Sequence, residues 1–148
     1  MPSSQKLRLD DQLCFALYTA TNAITRAYRP LLEAIGVTYP QYLVMMVLWE
    51  HDAQPMGVIA ERLDLPPNAM SPLIARMEVA GWLRRRPDPV DRRCTMVHLT
   101  ERGKTLERAA FQAQKTVAGR TQLSFERFHR LRKELLELTT VLEEAVSA

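Results

Sequence analysis

The sequence predicts a mainly α-helical chain broken by one small β-hairpin. Three observations predict it. Apolar residues recur at helical spacing over most of the chain, and two successive helical runs are separated only by a turn at Pro66-Pro67. Two short β-type runs, Trp82 to Arg86 and Thr95 to Leu99, then flank Pro87-Asp88-Pro89-Val90-Asp91.

Taken in order, Leu13, Leu17, Ala20, Ile24, Tyr28 and Leu31 share one face of a first helix from Asp10 to about Leu32, with Asp10 as its N-cap. Gly36 stops it. In Thr38-Tyr39-Pro40-Gln41, Thr38 and Gln41 stand in the reciprocal positions of a capping box, and Val37 is placed to staple onto Tyr42. The second helix, to about Glu50, is almost continuously apolar from Tyr42 to Trp49 and so belongs in the core. Pro55 opens a third helix carrying Ile59, Leu63 and Leu65, which Pro66-Pro67 ends. Pro67 suits the first position of a fourth, running through Met70, Leu73, Ile74, Met77 and Val79 to a stop at Gly81. Pro72 falls early enough in it to distort it only locally. After the hairpin, Thr100-Glu101 starts a fifth helix to about Gly119. Ser124 caps a sixth with the stripe Phe125, Phe128, Leu131, Leu135, Leu138 and Leu142.

The 148 residues suit one domain, 1–148, and 47% hydrophobic with 25% charged residues is the balance of an ordinary globular chain. The net charge of +3 decides little, but its distribution is local: Arg76, Arg84, Arg85, Arg86, Arg92 and Arg93 face only Glu78, Asp88 and Asp91 in the same stretch. Cys14 and Cys94 lie far apart and His51, His98 and His129 are scattered, so neither a metal site, a disulfide scaffold nor a cofactor motif is spelled out. MPSSQKLRLDD lacks the apolar stretch of a secretory leader, and no run reaches the ~18 apolar residues of a membrane span. These features predict a cytoplasmic protein without a membrane partner.

Two helices joined by a tight turn and followed by an arginine-laden hairpin make a winged helix-turn-helix, a device for reading duplex DNA. Asn68, Ser71 and Arg76 on the second helix of the pair are candidates for base edges. Arg85, Arg92 and Arg93 on the hairpin are candidates for phosphate or minor groove. The alternative is a solvated basic loop, which the coincidence of arginines with this element order disfavours. Cys14 gives a different signal. It sits in the first turns of its helix, where the dipole favours thiolate, and shares a face with Tyr18 and Tyr28; Tyr39 adds a third phenol. Residue chemistry alone leaves two readings open, a reactive thiol or a small core hydrophobe among packing tyrosines.

Arg76-Met77-Glu78, Gly81-Trp82-Leu83-Arg84-Arg85, Asp91-Arg92-Arg93 and Leu99-Thr100-Glu101-Arg102-Gly103 together resemble the signature of the MarR family of bacterial regulators. Leu13-Cys14-Phe15-Ala16-Leu17-Tyr18, Tyr28-Arg29-Pro30-Leu31-Leu32, Thr38-Tyr39-Pro40-Gln41-Tyr42-Leu43 and Leu48-Trp49-Glu50-His51 are similar to its organic-hydroperoxide-sensing branch, OhrR. The resemblance spans about Leu7 to Gly103. It implies a homodimer with a DNA-binding part at about 38–100 and dimerisation helices at about 7–35 and 104–147. It further implies that Cys14 is the redox-sensing cysteine, held by Tyr28 and Tyr39 across the dimer interface with Tyr18 beside it, and that Asp91 and Arg93 form a wing pair whose arginine enters the minor groove. Such a protein is a repressor, not an enzyme, and leaves a pseudo-palindromic double-stranded operator when an organic hydroperoxide oxidises it.

With no second cysteine near the C-terminus, oxidised Cys14 is expected to be capped by a small cellular thiol or overoxidised. Phe15, Tyr18, Met45 and Met46 are expected to line the pocket for the hydroperoxide. The rival readings are a regulator answering to a phenolic or other small ligand, a thiol peroxidase, and a dimerisation module without DNA affinity.

Overall fold

The computed structural model describes residues 6–147, so the first five residues of the leader-free N-terminal reading lie outside it. A 3-10 turn at Leu9–Asp11 precedes α1 (Leu13–Glu33), α2 (Tyr39–Glu50), β1 (Gln54–Pro55), α3 (Met56–Arg62), α4 (Pro67–Val79), β2 (Leu83–Pro87), β3 (Thr95–Leu99), α5 (Glu101–Arg120) and α6 (Phe125–Ser147). The chain divides into two compact units, Met1–Gln114 and Lys115–Ala148. In the second, Ser124 Oγ accepts from Arg127 N at 3.2 Å and so caps α6, none of whose described residues is buried.

In the first unit, three helices end in the same way, with a residue at positive φ followed by a backbone bond back over the last turn. Gly36 (φ +80°) closes α1 with Val37 N donating to Leu32 O, and Gly81 (φ +89°) closes α4 with Trp82 N donating to Met77 O. Asp64 (φ +53°) closes α3, with Leu65 N donating to Ala60 O. This shortens α3 relative to expectation: Leu63 and Leu65 lie outside it, because aspartate tolerates the left-handed conformation and ends the helix before the prolines act. At the other end of the unit, Asp10 is not the cap of α1. It lies in the 3-10 turn, and the N-cap position is Gln12, whose backbone N–H is drawn back to Leu9 O.

The capping box at α2 forms as the pattern requires. Thr38 Oγ1 accepts from Gln41 N at 3.3 Å and Gln41 Oε1 accepts from Thr38 N at 3.0 Å, while Val37 and Tyr42 are both buried beneath it. From there α2 runs through the core, with Val44, Met45 and Leu48 fully sealed. The hairpin gains a strand that two residues containing a proline do not announce. β1 pairs with β3 at Gln54↔Val97 and Pro55↔Met96, giving the antiparallel order β1-β3-β2 with proline at the sheet edge. Asp52 Oδ1 accepts from both Ala53 N and Leu99 N at 2.8 Å, fastening the end of β3 beneath α2.

Thr100 and Gly103 join these parts. Thr100 Oγ1 accepts from Gly103 N at 3.1 Å, capping α5, and donates to Gly81 O at 2.5 Å, while Thr100 N donates to Trp82 O. Gly103 O accepts from Trp49 Nε1 at 3.0 Å. A Cβ on Gly103 would overlap the Trp82 carbonyl, which is backbone and cannot swing aside. Gly103→Ala should therefore destabilise the protein by about 2–3 kcal/mol through forced repacking. Urea unfolding measures this, and a loss under about 0.5 kcal/mol, the size of a neutral surface change, would contradict the packing described.

Candidate functional site

α4 turns Met70, Ile74 and Met77 inward and leaves Asn68, Ser71 and Arg76 exposed. Pro72 and Val79 share that outer face; Val79, expected in the apolar stripe, is 90% exposed because it stands about 200° around the helix from Met77. The helix passes through Pro72 without interruption, leaving only the Asn68 carbonyl without its usual donor four residues on.

Beside α4, the tip of the hairpin is built from its own side chains. Asp88 Oδ1 accepts from Val90 N at 2.8 Å, and Asp91 Oδ1 accepts from both Arg93 N and Arg93 Nε at 3.1 Å. Cys94 N donates to Asp91 O and Cys94 O accepts from Asp88 N, so Cys94 closes the loop through its backbone. Arg93 is thereby aimed by Asp91 while its side chain stays 93% exposed, and Arg92 is exposed next to it.

Arg85, expected among the outward cations, is engaged inside this head. Glu78 on the last turn of α4 accepts from Arg85 N at 2.8 Å and from the Arg85 guanidinium at 3.2 and 3.3 Å. The backbone bond first, and the guanidinium after it, outweigh partial burial and hold the Glu78 carboxyl below the usual carboxylate range.

The second constellation is formed by phenols. Tyr28 near the end of α1 packs against Tyr39 and Tyr42 of α2, with ring centroids 5.5 and 5.2 Å away, and Tyr39 and Tyr42 are 6.1 Å apart. Burial, and after it the neighbouring Tyr28, raises the pKa of Tyr39. Tyr42 is raised further, by burial, by its hydrogen bond with Tyr28 and by the neighbouring phenols. Both therefore stay protonated at neutral pH, as donors.

Tyr28 and Tyr39 are thus brought together, but Cys14 and Tyr18 are not with them. They lie exposed at the opposite end of α1, and 14 residues of helix separate Cys14 from Tyr28 by about 21 Å along the axis. Sequence reasoning left Tyr42 in the core and out of the phenol group, although its place one helical turn after Tyr39 carried the signal.

A cavity of about 580 Å³ lies on the other side of Tyr42, lined also by Leu43, Met46, Trp49, Arg62, Leu63, Glu107 and Phe111. It replaces the expected pocket. Met45 is sealed in the core, Phe15 and Tyr18 do not line the cavity, and only Met46 does, because Met45 and Met46 point about 100° apart around α2. Among the described residues, no cluster of three or more His, Cys, Asp or Glu side chains comes together to hold a metal, and no helix is long and apolar enough to cross a membrane.

Comparison with known proteins agrees with this geometry. Residues 37–95 match the MarR family. The chain is 34% identical to the organic hydroperoxide resistance transcriptional regulator of Bacillus subtilis over 93% of its length and 94% of the relative's. It is 42% identical to the HTH-type transcriptional regulator TtmR of Methylorubrum extorquens over 80% of its own length, spanning 60% of that longer protein. Among solved structures it superposes on reduced AbfR of Staphylococcus epidermidis bound to DNA with a TM-score of 0.81 at 31% identity, covering 94% of this chain and 95% of that one. The head formed by α3, α4 and the hairpin, and its likeness to these relatives over nearly the whole chain, establish that this protein belongs to the MarR family of DNA-binding transcriptional regulators.

Proposed function

We propose that the protein is an organic-hydroperoxide-sensing repressor that works as a homodimer, with Cys14 as its redox-sensing residue. The observation that carries this reading is the pair of phenols, Tyr28 and Tyr39, packed together as protonated donors about 21 Å along α1 from the thiol they suit. Within one chain that distance cannot close; an antiparallel α1 of a partner subunit brings its Cys14 to them. α1 favours such a partner. Only Tyr28 and Leu32 of its 21 residues are buried, and Leu13, Tyr18 and Ile24 stay exposed, an arrangement that an isolated helix in water does not sustain. Tyr18 then flanks the thiol.

In the reduced dimer, the Cys14 thiolate accepts hydrogen bonds from Tyr28 and Tyr39 of the partner subunit. A hydroperoxide ROOH is attacked by the sulfur at its terminal oxygen. The O–O bond breaks, the sulfur is oxidised by two electrons to sulfenic acid, and the alkoxide leaves as ROH after taking a proton from solvent. A small cellular thiol then condenses with the sulfenic acid, releasing water and leaving a mixed disulfide. The anion is gone, and its two charge-assisted bonds, ~1.5–3 kcal/mol each, go with it, enough to shift a two-state equilibrium at least a hundredfold. The helices carrying the two reading heads shift, and the ~34 Å spacing that matches one turn of a pseudo-palindromic operator is lost. Each Cys14 consumes one hydroperoxide without turnover, so the protein acts as a sensor in a reducing cytoplasm and not as a peroxidase.

On DNA, Asn68, Ser71 and Arg76 face the major groove, with Arg92 and Arg93 on backbone and minor groove and Asp91 aiming Arg93. Arg85 has a positioning role, locking the wing to α4 through Glu78. The cavity beside Tyr42 favours a second reading, in which a phenolic or other apolar ligand releases the protein; release by an aromatic acid together with indifference to peroxide would select it.

Cys14→Ser should bind an operator selected from random duplexes as wild type does and remain bound under cumene hydroperoxide; a variant still released by the peroxide removes Cys14 from the mechanism. Arg93→Ala should lower the slope of log K against log salt by about one, the contribution of one phosphate contact, and an unchanged slope would place Arg93 off the DNA. Glu78 has its pKa lowered by folding, so its stabilising bond is complete above the usual carboxylate range and fades as pH falls through the lowered value. The stability gap between wild type and Glu78→Gln should therefore be constant from pH 7 to 5 and close in more acidic solution; a gap indifferent to pH would mean that the charge of Glu78 does not anchor the wing.

A further inference from the structure

The hydroperoxide mechanism leaves one buried polar group without a task. Tyr42 is 3% exposed, its ring packs on both Tyr28 and Tyr39, and its hydroxyl is hydrogen-bonded to that of Tyr28. Because the bond favours the protonated Tyr42, Tyr42 donates and the Tyr28 oxygen accepts. A phenol carries one O–H and two acceptor lone pairs. With its oxygen accepting from Tyr42, Tyr28 turns its own O–H away from Tyr42, and the accepted bond polarises that O–H into a stronger donor. No buried side-chain nitrogen or oxygen among the described residues lacks a partner, so the phenol group has no slack polar atom through which to reorient at low cost.

We propose that Tyr42 is a positioning residue for the sensing cysteine: by donating to Tyr28 it directs the Tyr28 hydroxyl onto Cys14 of the partner subunit and speeds the reaction of that sulfur with hydroperoxide. This rests on the hydroperoxide-sensing reading given above. Tyr42 also lines the cavity with Met46 and Phe111 on its other side, so the same ring separates the phenol group from that space.

Full-length reduced protein carrying Tyr42→Phe, Tyr28→Phe or both is treated with cumene hydroperoxide, and Cys14 sulfenic acid is trapped with dimedone and quantified over time. Tyr42→Phe should slow Cys14 oxidation about fivefold, the effect of one hydrogen bond, with the melting temperature of the reduced protein unchanged. The double variant should be no slower than Tyr28→Phe alone, because Tyr42 acts through Tyr28. A Tyr42→Phe protein at the wild-type rate beside a slowed Tyr28→Phe protein overturns the role of Tyr42 and leaves the sensing reading standing. Wild-type rates in both overturn the sensing reading and the proposal together. Should Tyr42→Phe melt lower, the double variant still decides: slowing equal to the product of the two single effects marks general loosening and overturns the proposal.

Discussion

A straight helix keeps its two ends apart, and that constraint governs the reading of this protein. Cys14 and Tyr28 lie on one face of α1 but about 21 Å along it, so the thiol and the buried phenols of one chain never meet. Two physical facts then ask for the same remedy. Most of α1 lacks the packing that holds an amphipathic helix in water, and the phenols are protonated donors. A second copy laid antiparallel along α1 answers both, since it covers the apolar residues with the same movement that brings sulfur to hydroxyl. Dimerisation and sensing are, in this account, one interaction.

The DNA-reading end is a tied assembly. Glu78 binds α4 to β2, Asp52 binds β3 to the end of α2, and Thr100 with Gly103 binds the start of α5 to the turn after α4 and to Trp49. Each bond is modest alone. Together they mean that α4 and the wing move as a body with the end of α2 and the start of α5. α2 carries Tyr39 and Tyr42 at its other end, so a change at the phenols has a stiff, well-packed helix through which to reach the head. Interiors packed to this density rearrange between discrete states and do not deform smoothly, which suits a switch.

Much of this was legible in the residues. The capping box at Thr38 and Gln41, the glycine stops at Gly36 and Gly81 and the hairpin across Pro87 to Asp91 are local chemistry, and local chemistry is what a sequence carries plainly. The Leu99-to-Gly103 segment was legible as a resemblance, and the contacts of Thr100 and Gly103 supply its physical reason. What escaped depended on partners distant in the chain. β1 is a strand only because β3 lies beside it, and Arg85 turns inward only because Glu78 sits opposite. The early end of α3 at Arg62 depends on Asp64 taking a conformation that aspartate only sometimes adopts. Tyr42 was hidden by its hydrophobic setting: an apolar run disguises a hydroxyl whose importance comes from the neighbour it touches. Met45 and Met46 show the same limit, since adjacent residues on a helix face different surroundings.

The central claim, that each sulfur is served by the other subunit's phenols, is tested most directly by a mixed dimer in which one chain carries Cys14→Ser and its partner carries Tyr28→Phe with Tyr39→Phe. The one remaining Cys14 then belongs to the chain without phenols and faces a chain that has both. The account predicts that this thiol reacts with cumene hydroperoxide at the wild-type rate, whereas a homodimer of the Tyr28→Phe, Tyr39→Phe chain reacts slowly. A mixed dimer as slow as that homodimer would contradict it.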